Sequence, residues 1–235
     1  MTTAKAPHVT GPVSFLGPHG TFTEVALKSL LPDADSVSAD SVISALDMVR
    51  TGAAVAAVVP IENSVEGSVS TTLDSLSSGE SLVITAEVSI PVRFALLVQP
   101  GTALSDVYAV ATHPHAQAQC LGWLRSQLPQ AKLIPATSTA DAAAELAHMT
   151  NVLAGPFNAA IAQPLAAAHY GLDVVADNIG DNAEALTRFV MVQKSGSLPP
   201  STGADKTTLA VFMKQDHPGA LLEILTELAV RGVNM

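Results

Sequence analysis

The chain has 235 residues, 48% hydrophobic and 14% charged, with a formal net charge of -10. That apolar content is enough for a buried core in one large or two smaller domains and excludes a disordered chain. The negative charge and the 4% aromatic content argue against a nucleic-acid partner. No apolar run reaches the length of a membrane span, and the N-terminal Met1–Pro12 lacks an apolar signal region. With a single cysteine, Cys120, these features point to the cytoplasm.

The predicted elements alternate short β-branched runs with longer helical ones, the pattern of an α/β fold. Val13–Leu16 reads as a strand, Thr21–Leu31 and Val42–Thr51 as helices, Ala54–Val59 as a buried strand and Ser68–Ser78 as a helix. Leu82–Ile90 and Val92–Val98 are extended runs separated by Pro91. Tyr108–Ala111, Lys132–Pro135 and Val152–Ala154 read as short strands, each before an Ala-rich helix: Pro114–Gln127, Ala140–Met149 and Pro156–Tyr170. Val174–Ala176 and Arg188–Val192 close the pattern. Crossovers near Val88–Arg93 and Asp173–Gly180 predict two lobes, residues 12–90 with 175–194 and residues 91–174, flanking a cleft. A Ser/Gly/Pro linker over 195–205 leads to a strand, Thr207–Met213, and a helix, Pro218–Arg231. Asp216 or His217 is the expected N-cap of that helix and Gly232 its C-terminal cap.

Four polar segments carry candidate chemistry: Gly17–Glu24, Pro60–Gly67, His113–Cys120 and Asp181–Gln193. Of the 11 basic residues, only Arg188 lies in any of them. A small anionic ligand would therefore rest mostly on neutral donors and helix N-termini. Suitable donors are Thr21, Thr23, Asn63, Ser64, Ser68 and Gln119. Asn63 and Ser64 follow an apolar strand, where α/β folds place their ligands. Thr137 and Ser138 hold a similar junction, with helix capping as the competing role for Ser138. Thr187 beside Arg188 suits an acid-assisted step on a small anion. Gly17-Pro-His-Gly-Thr-Phe-Thr lacks the lysine of a phosphate-binding loop and reads instead as a carboxylate cradle at a helix start, and His113-Pro-His115 lacks a completed zinc ligand set. Phe22 and Cys120 read as core residues, and Glu62 as a brace for its loop.

Together and in order, these four segments and Pro218-Gly-Ala-Leu221 resemble the prephenate dehydratases, over nearly the whole chain from Val13 onward. The resemblance implies a bilobal catalytic domain at 12–194, similar to type II periplasmic solute-binding proteins. It also implies that 206–235 is the first part of an ACT regulatory domain, ending before the family's Glu-Ser-Arg-Pro motif. The implied reaction is decarboxylative dehydration of prephenate to phenylpyruvate in phenylalanine synthesis, with no cofactor and in a homodimer or homotetramer. By the same resemblance Thr187 donates the proton with help from Arg188. Asn63, Ser64, Thr21, Thr112, Gln119, Phe189 and Ser138 would contact the substrate. Phenylalanine, as effector, would meet Gly219, Ala220 and Leu221. Ala185 departs from the polar residue expected there. The alternative reading is a module of the same fold that binds a small anion or amino acid without turnover.

Overall fold

A computed structural model describes residues 9–150, 155–196, 201–213 and 215–234. They form two units that divide between Pro200 and Ser201.

The first unit holds two sheets. In the first sheet, β1 (Val13–Leu16) lies parallel to β2 (Ser36–Ala39) and β3 (Ala56–Asn63). The short β4 (Gly67–Ser68) folds back on β3. Strands β5 (Leu82–Pro91) and β11 (Leu186–Lys194) complete the order β2-β1-β3-β11-β5. Helix α1 (Phe22–Leu30) covers one face, where Ala26 and Leu27 meet Phe15, Phe189 and Met191. Helix α2 (Val42–Thr51) covers the other, where Ala45, Leu46 and Val49 meet Val59, Val190 and Val192. Its ends are written in the sequence: the Ser41 hydroxyl accepts the Ser44 N–H, and Gly52 takes the left-handed φ of 82° that a β-carbon would disfavour. Helix α3 (Ser70–Ser77) follows β4, and the Thr72 hydroxyl ties it to the Pro60 carbonyl at 2.6 Å.

The second sheet has the order β10-β6-β9-β7-β8. It comprises β6 (Ala95–Val98), β7 (Ala109–Thr112), β8 (Lys132–Pro135), β9 (Ala159–Ala162) and β10 (Asp173–Ala176). Helices α4 (Pro114–Gln119), α5 (Leu121–Gln127), α6 (Thr139–His148) and α7 (Pro164–Tyr170) connect its strands, with a short 3-10 turn at Leu104–Asp106. The chain enters this lobe through 92–94 and leaves it after Ala176. Two backbone bonds pin the crossings side by side, Val92 N–H to Ala185 O at 2.8 Å and Ile179 N–H to Phe94 O at 2.9 Å.

Several expectations need correction. Pro156–Tyr170 is not one helix, because Ala159–Ala162 is a strand with all four residues buried. Alanine favours helices in isolation, but this strand is central in its sheet, with Ala160 and Ala162 packed against α6 and α7 and Ala159 and Ile161 among the buried residues of α4 and α5, and packing overrides propensity. Pro114–Gln127 breaks at Cys120 because the Asp181 carboxylate caps a new helix, accepting the N–H of Gly122 at 2.8 Å and of Trp123 at 3.2 Å. The edge strand β2, half of it serine, has no strand signature in the sequence. The return crossing follows Ala176, within the expected Asp173–Gly180, since β10 still pairs with β6. The predicted strand Val152–Ala154 lies outside the described residues.

In the second unit, Thr207–Met213 is not a strand; it has no ladder partner among the described residues. The helix is α8 (Ala220–Ala229), and its N-cap is Gly219 at φ 94° rather than Asp216 or His217. Gly232, at φ 67°, does close it: its N–H reaches Ala229 O and that of Val233 reaches Leu228 O, each at 3.0 Å.

Candidate active site

The register of β3 against β11 sets Thr187 opposite Asn63 and Arg188 opposite Glu62, with a bulge at Ile61. Asn63 donates from Nδ2 to Thr187 Oγ1 at 2.8 Å. The orientation of the amide follows from its other end, where Oδ1 accepts the Val65 N–H at 2.8 Å and the Glu66 N–H at 3.1 Å. Two donors there require the oxygen, so the nitrogen must face Thr187. Thr187 Oγ1 thus accepts one bond, and no described residue receives its O–H. A threonine held this way is a directed donor. Beside it, the Ser64 N–H donates to Leu186 O and the Leu186 N–H to Ser64 Oγ, both at 2.9 Å, which extends the ladder past Asn63 and locks the pair.

Arg188 does not stand beside that hydroxyl. Alternation along β11 puts Thr187 on the face of Phe189 and Met191, under α1, and Arg188 on the face of Val190 and Val192. Its Nη1 lies 3.3 Å from Glu62 and its Nε 3.9 Å from Glu87. The one cation foreseen for the site is balanced by two carboxylates on the far side of the sheet.

The other expected contacts are mostly structural. The Thr21 hydroxyl donates to Leu16 O at 3.2 Å and accepts the Glu24 N–H as the N-cap of α1. Thr112 is fully buried and its hydroxyl donates to Ile161 O at 2.8 Å, stitching β7 to β9. Ser138 caps α6 by accepting the Asp141 N–H at 2.9 Å. Phe189 is core, 2% exposed. The Ser64 and Ser138 hydroxyls accept backbone N–H groups, no described residue receives their O–H, and Gln119 is half-exposed. A hollow of about 390 Å³ lined by Leu104, Val107, Leu128 and Ala131 includes none of these residues.

A cluster that sequence reasoning missed joins the two lobes. Glu24, 1% exposed, accepts the Gly20 N–H at 2.7 Å and meets Lys28 at 3.0 Å, His19 at 3.2 Å and, from α7, His169 at 3.0 Å. Burial raises its pKa, but the Gly20 amide, Lys28, His19 and His169 together outweigh that and hold the carboxyl at about 2. The signal was present in Thr21-Phe-Thr-Glu24, a capping-box spacing. His19, Glu24 and His169 have the composition of a metal site. The ammonium of Lys28 already sits where a cation would bind, and the carboxylate is satisfied as it stands. The same carboxylate occupies the N-terminus of α1, so the anion cradle foreseen there is filled from within.

In His113-Pro-His115 the two rings divide their work. His113 Nδ1 accepts the His115 N–H at 3.3 Å and caps α4. Burial first, then the neighbouring His115, lower the His113 pKa against the pull of Glu66, which favours the neutral ring that an acceptor must be. His115 Nδ1 instead lies 2.6 Å from Glu66 Oε2 in the first lobe.

A family model described as prephenate dehydratase matches residues 13–197. The chain belongs to the prephenate dehydratase family. A prephenate dehydratase of Mycobacterium ulcerans is 44% identical over 233 residues, spanning 95% of this chain and 72% of the relative. That of Amycolatopsis methanolica is 44% identical, with 95% and 71% covered. Among solved structures, a prephenate dehydratase from Arthrobacter aurescens in complex with L-Phe superposes with a TM-score of 0.88 at 49% identity, covering 95% of this chain and 72% of that one. GqqA, described as a quorum-quenching acylase, superposes at 0.79 with 26% identity, covering 95% and 79%. No helix among the described residues is long and apolar enough to cross a membrane.

Proposed function

We propose that this chain converts prephenate to phenylpyruvate, with loss of carbon dioxide and water, in phenylalanine synthesis. The ring carboxylate leaves as carbon dioxide, its carbon–carbon electron pair enters the ring, and the ring C–O bond breaks. One proton turns the departing hydroxide into water. Aromatisation drives the reaction, so the protein must supply a donor at the leaving oxygen and a fixed geometry. The observation that carries this reading is the Asn63–Thr187 bond, which leaves the Thr187 O–H as a donor while the Asn63 N–H stabilises charge on Oγ1. Thr187 is the catalytic residue in this reading and Asn63 its positioning partner. Ser64 and Gln119 are the substrate donors, with Ser138 next in line. Arg188, tied to Glu62 and Glu87, acts on the site only through the end of its strand.

The enzyme is then a hydro-lyase acting in the cytoplasm. We place in residues 201–234 the start of an ACT-like segment, with Gly219, Ala220 and Leu221 as phenylalanine contacts; support comes from the resemblance and from the Arthrobacter relative's complex with L-Phe. Adding prephenate and following phenylpyruvate by ultraviolet absorbance tests the reaction. No product above the uncatalysed rate would leave the binding-module reading in its place.

A further inference from the structure

We propose that His115 is a positioning residue, and that its contact with Glu66 latches the second lobe over the Thr187 site. The proposal rests on the reading of Thr187 as the reacting donor. His115 stands at the start of α4, beyond the carboxyl end of β7, and Glu66 in the turn beyond the carboxyl end of β3. Their 2.6 Å contact therefore joins the two strand edges that face each other across the lobes. Glu66 is also one of the two residues whose N–H fixes the Asn63 amide, and that amide holds Thr187. A chain of contacts runs from the second lobe to the reacting hydroxyl: His115, Glu66, Asn63, Thr187.

The two interlobe His–Glu contacts differ in kind. At Glu24 and His169 the side chains are 1% and 29% exposed, and a β-carbon at Gly20 would stand 3.0 Å from Ala166, so the lobes touch there at backbone distance. Tyr170 adds a bond from its hydroxyl to His19 O at 3.0 Å. That side is a weld. Glu66 and His115 are 39% and 63% exposed, so water competes for both and the contact is weak enough to open and close. A cleft welded on one side and latched on the other admits substrate by releasing the latch. The titratable groups facing His115 are Glu66 and the His113 imidazole, and the latter accepts the His115 N–H in capping α4.

The test uses spin labels at Thr71→Cys and Ser126→Cys, exposed positions on the two lobes, with the native Cys120 buried beyond labelling. Interlobe distances are measured by pulsed electron resonance without substrate, and turnover on unlabelled protein. His115→Gln and Glu66→Gln should each broaden the distance distribution toward longer values and change the kinetics by a factor of about 2–5, mainly in KM. The double variant should be no worse than either single one. Reversing the pair as His115→Glu with Glu66→Lys should recover the short distance that each reversal alone loses. An unchanged distribution in the single variants, or additive effects in the double variant, overturns the latch. Because the distances are read without substrate, a shift in them with no prephenate turnover would refute the assigned reaction and leave the latch standing.

Discussion

Asn63 and Thr187, 124 residues apart in the chain, meet at 2.8 Å because antiparallel pairing brings the end of β3 beside the start of β11. The direction of that bond matters more than its length. With Asn63 Oδ1 committed to two backbone donors, Thr187 can only accept from Asn63, and no described residue takes its own proton.

Thr187→Val keeps the volume and deletes the donor. Turnover is expected to fall at least about 10²-fold with little loss of stability, while Thr187→Ser keeps much of the activity. Steady-state kinetics on prephenate, paired with urea melts, checks both halves. Wild-type turnover in the Val variant would remove Thr187 from the chemistry.

Asn63→Asp is the sharper substitution. A carboxylate of the same shape still accepts the Val65 and Glu66 N–H groups, so the turn should survive. Its other oxygen can only accept, and it would draw the Thr187 proton away from the cleft. Asn63→Ala merely releases the hydroxyl, at a cost of about 1 kcal/mol in the turn. The expected order of turnover at neutral pH is wild type, then Ala, then Asp. An Asp variant as active as wild type would mean that the bond does not set the direction of proton donation.

Residue types at the site were legible in the sequence, but their partners were not. Ser41 and Gly52 bracket α2 by local rules, and the helix starts and stops as those rules require. Asn63, Ser64 and Thr187 announce themselves as neutral donors near strand ends. Which hydroxyls are spent internally depends on contacts remote in sequence, such as Thr112 with Ile161, and residue type alone does not reveal it. Arg188 shows the same limit: alternation sends it and Thr187 to opposite faces unless β11 bends there, and the bulge on this ladder lies in β3 instead. The strand Ala159–Ala162 is hidden by composition, because three alanines around one isoleucine read as helix until the neighbouring strands are known.

Cys120 should be inert in the folded protein. It is fully buried, and burial first, then the charge of Asp181, push its thiol up to about 12. Thiolate is the reactive form, so a thiol reagent at pH 8 should titrate no sulfhydryl in native protein and one per chain in denaturant. Rapid reaction of the native protein would show that the junction between α4 and α5 opens readily.

Glu24 gives the fold a dependence on acid. Its carboxyl is held at about 2 in the folded protein against an ordinary value of 4.5. A depressed carboxylate stabilises the fold fully above its unfolded pKa, and that contribution is lost as pH falls through the folded one. The window therefore runs from about 4.5 down to about 2. Its size is on the order of a few kcal/mol, carried by the Gly20 amide, Lys28, His19 and His169. The histidines need not be charged for this, since a neutral ring in the right tautomer also donates to the carboxylate, so the weld should persist through neutral pH. Glu24→Gln removes the charge but keeps the shape. Its urea midpoint should lie well below wild type at pH 7, and the gap should close as both proteins are taken toward pH 2. A constant gap across that range would mean that Glu24 contributes by packing alone and that its ionised form does not hold the lobes together.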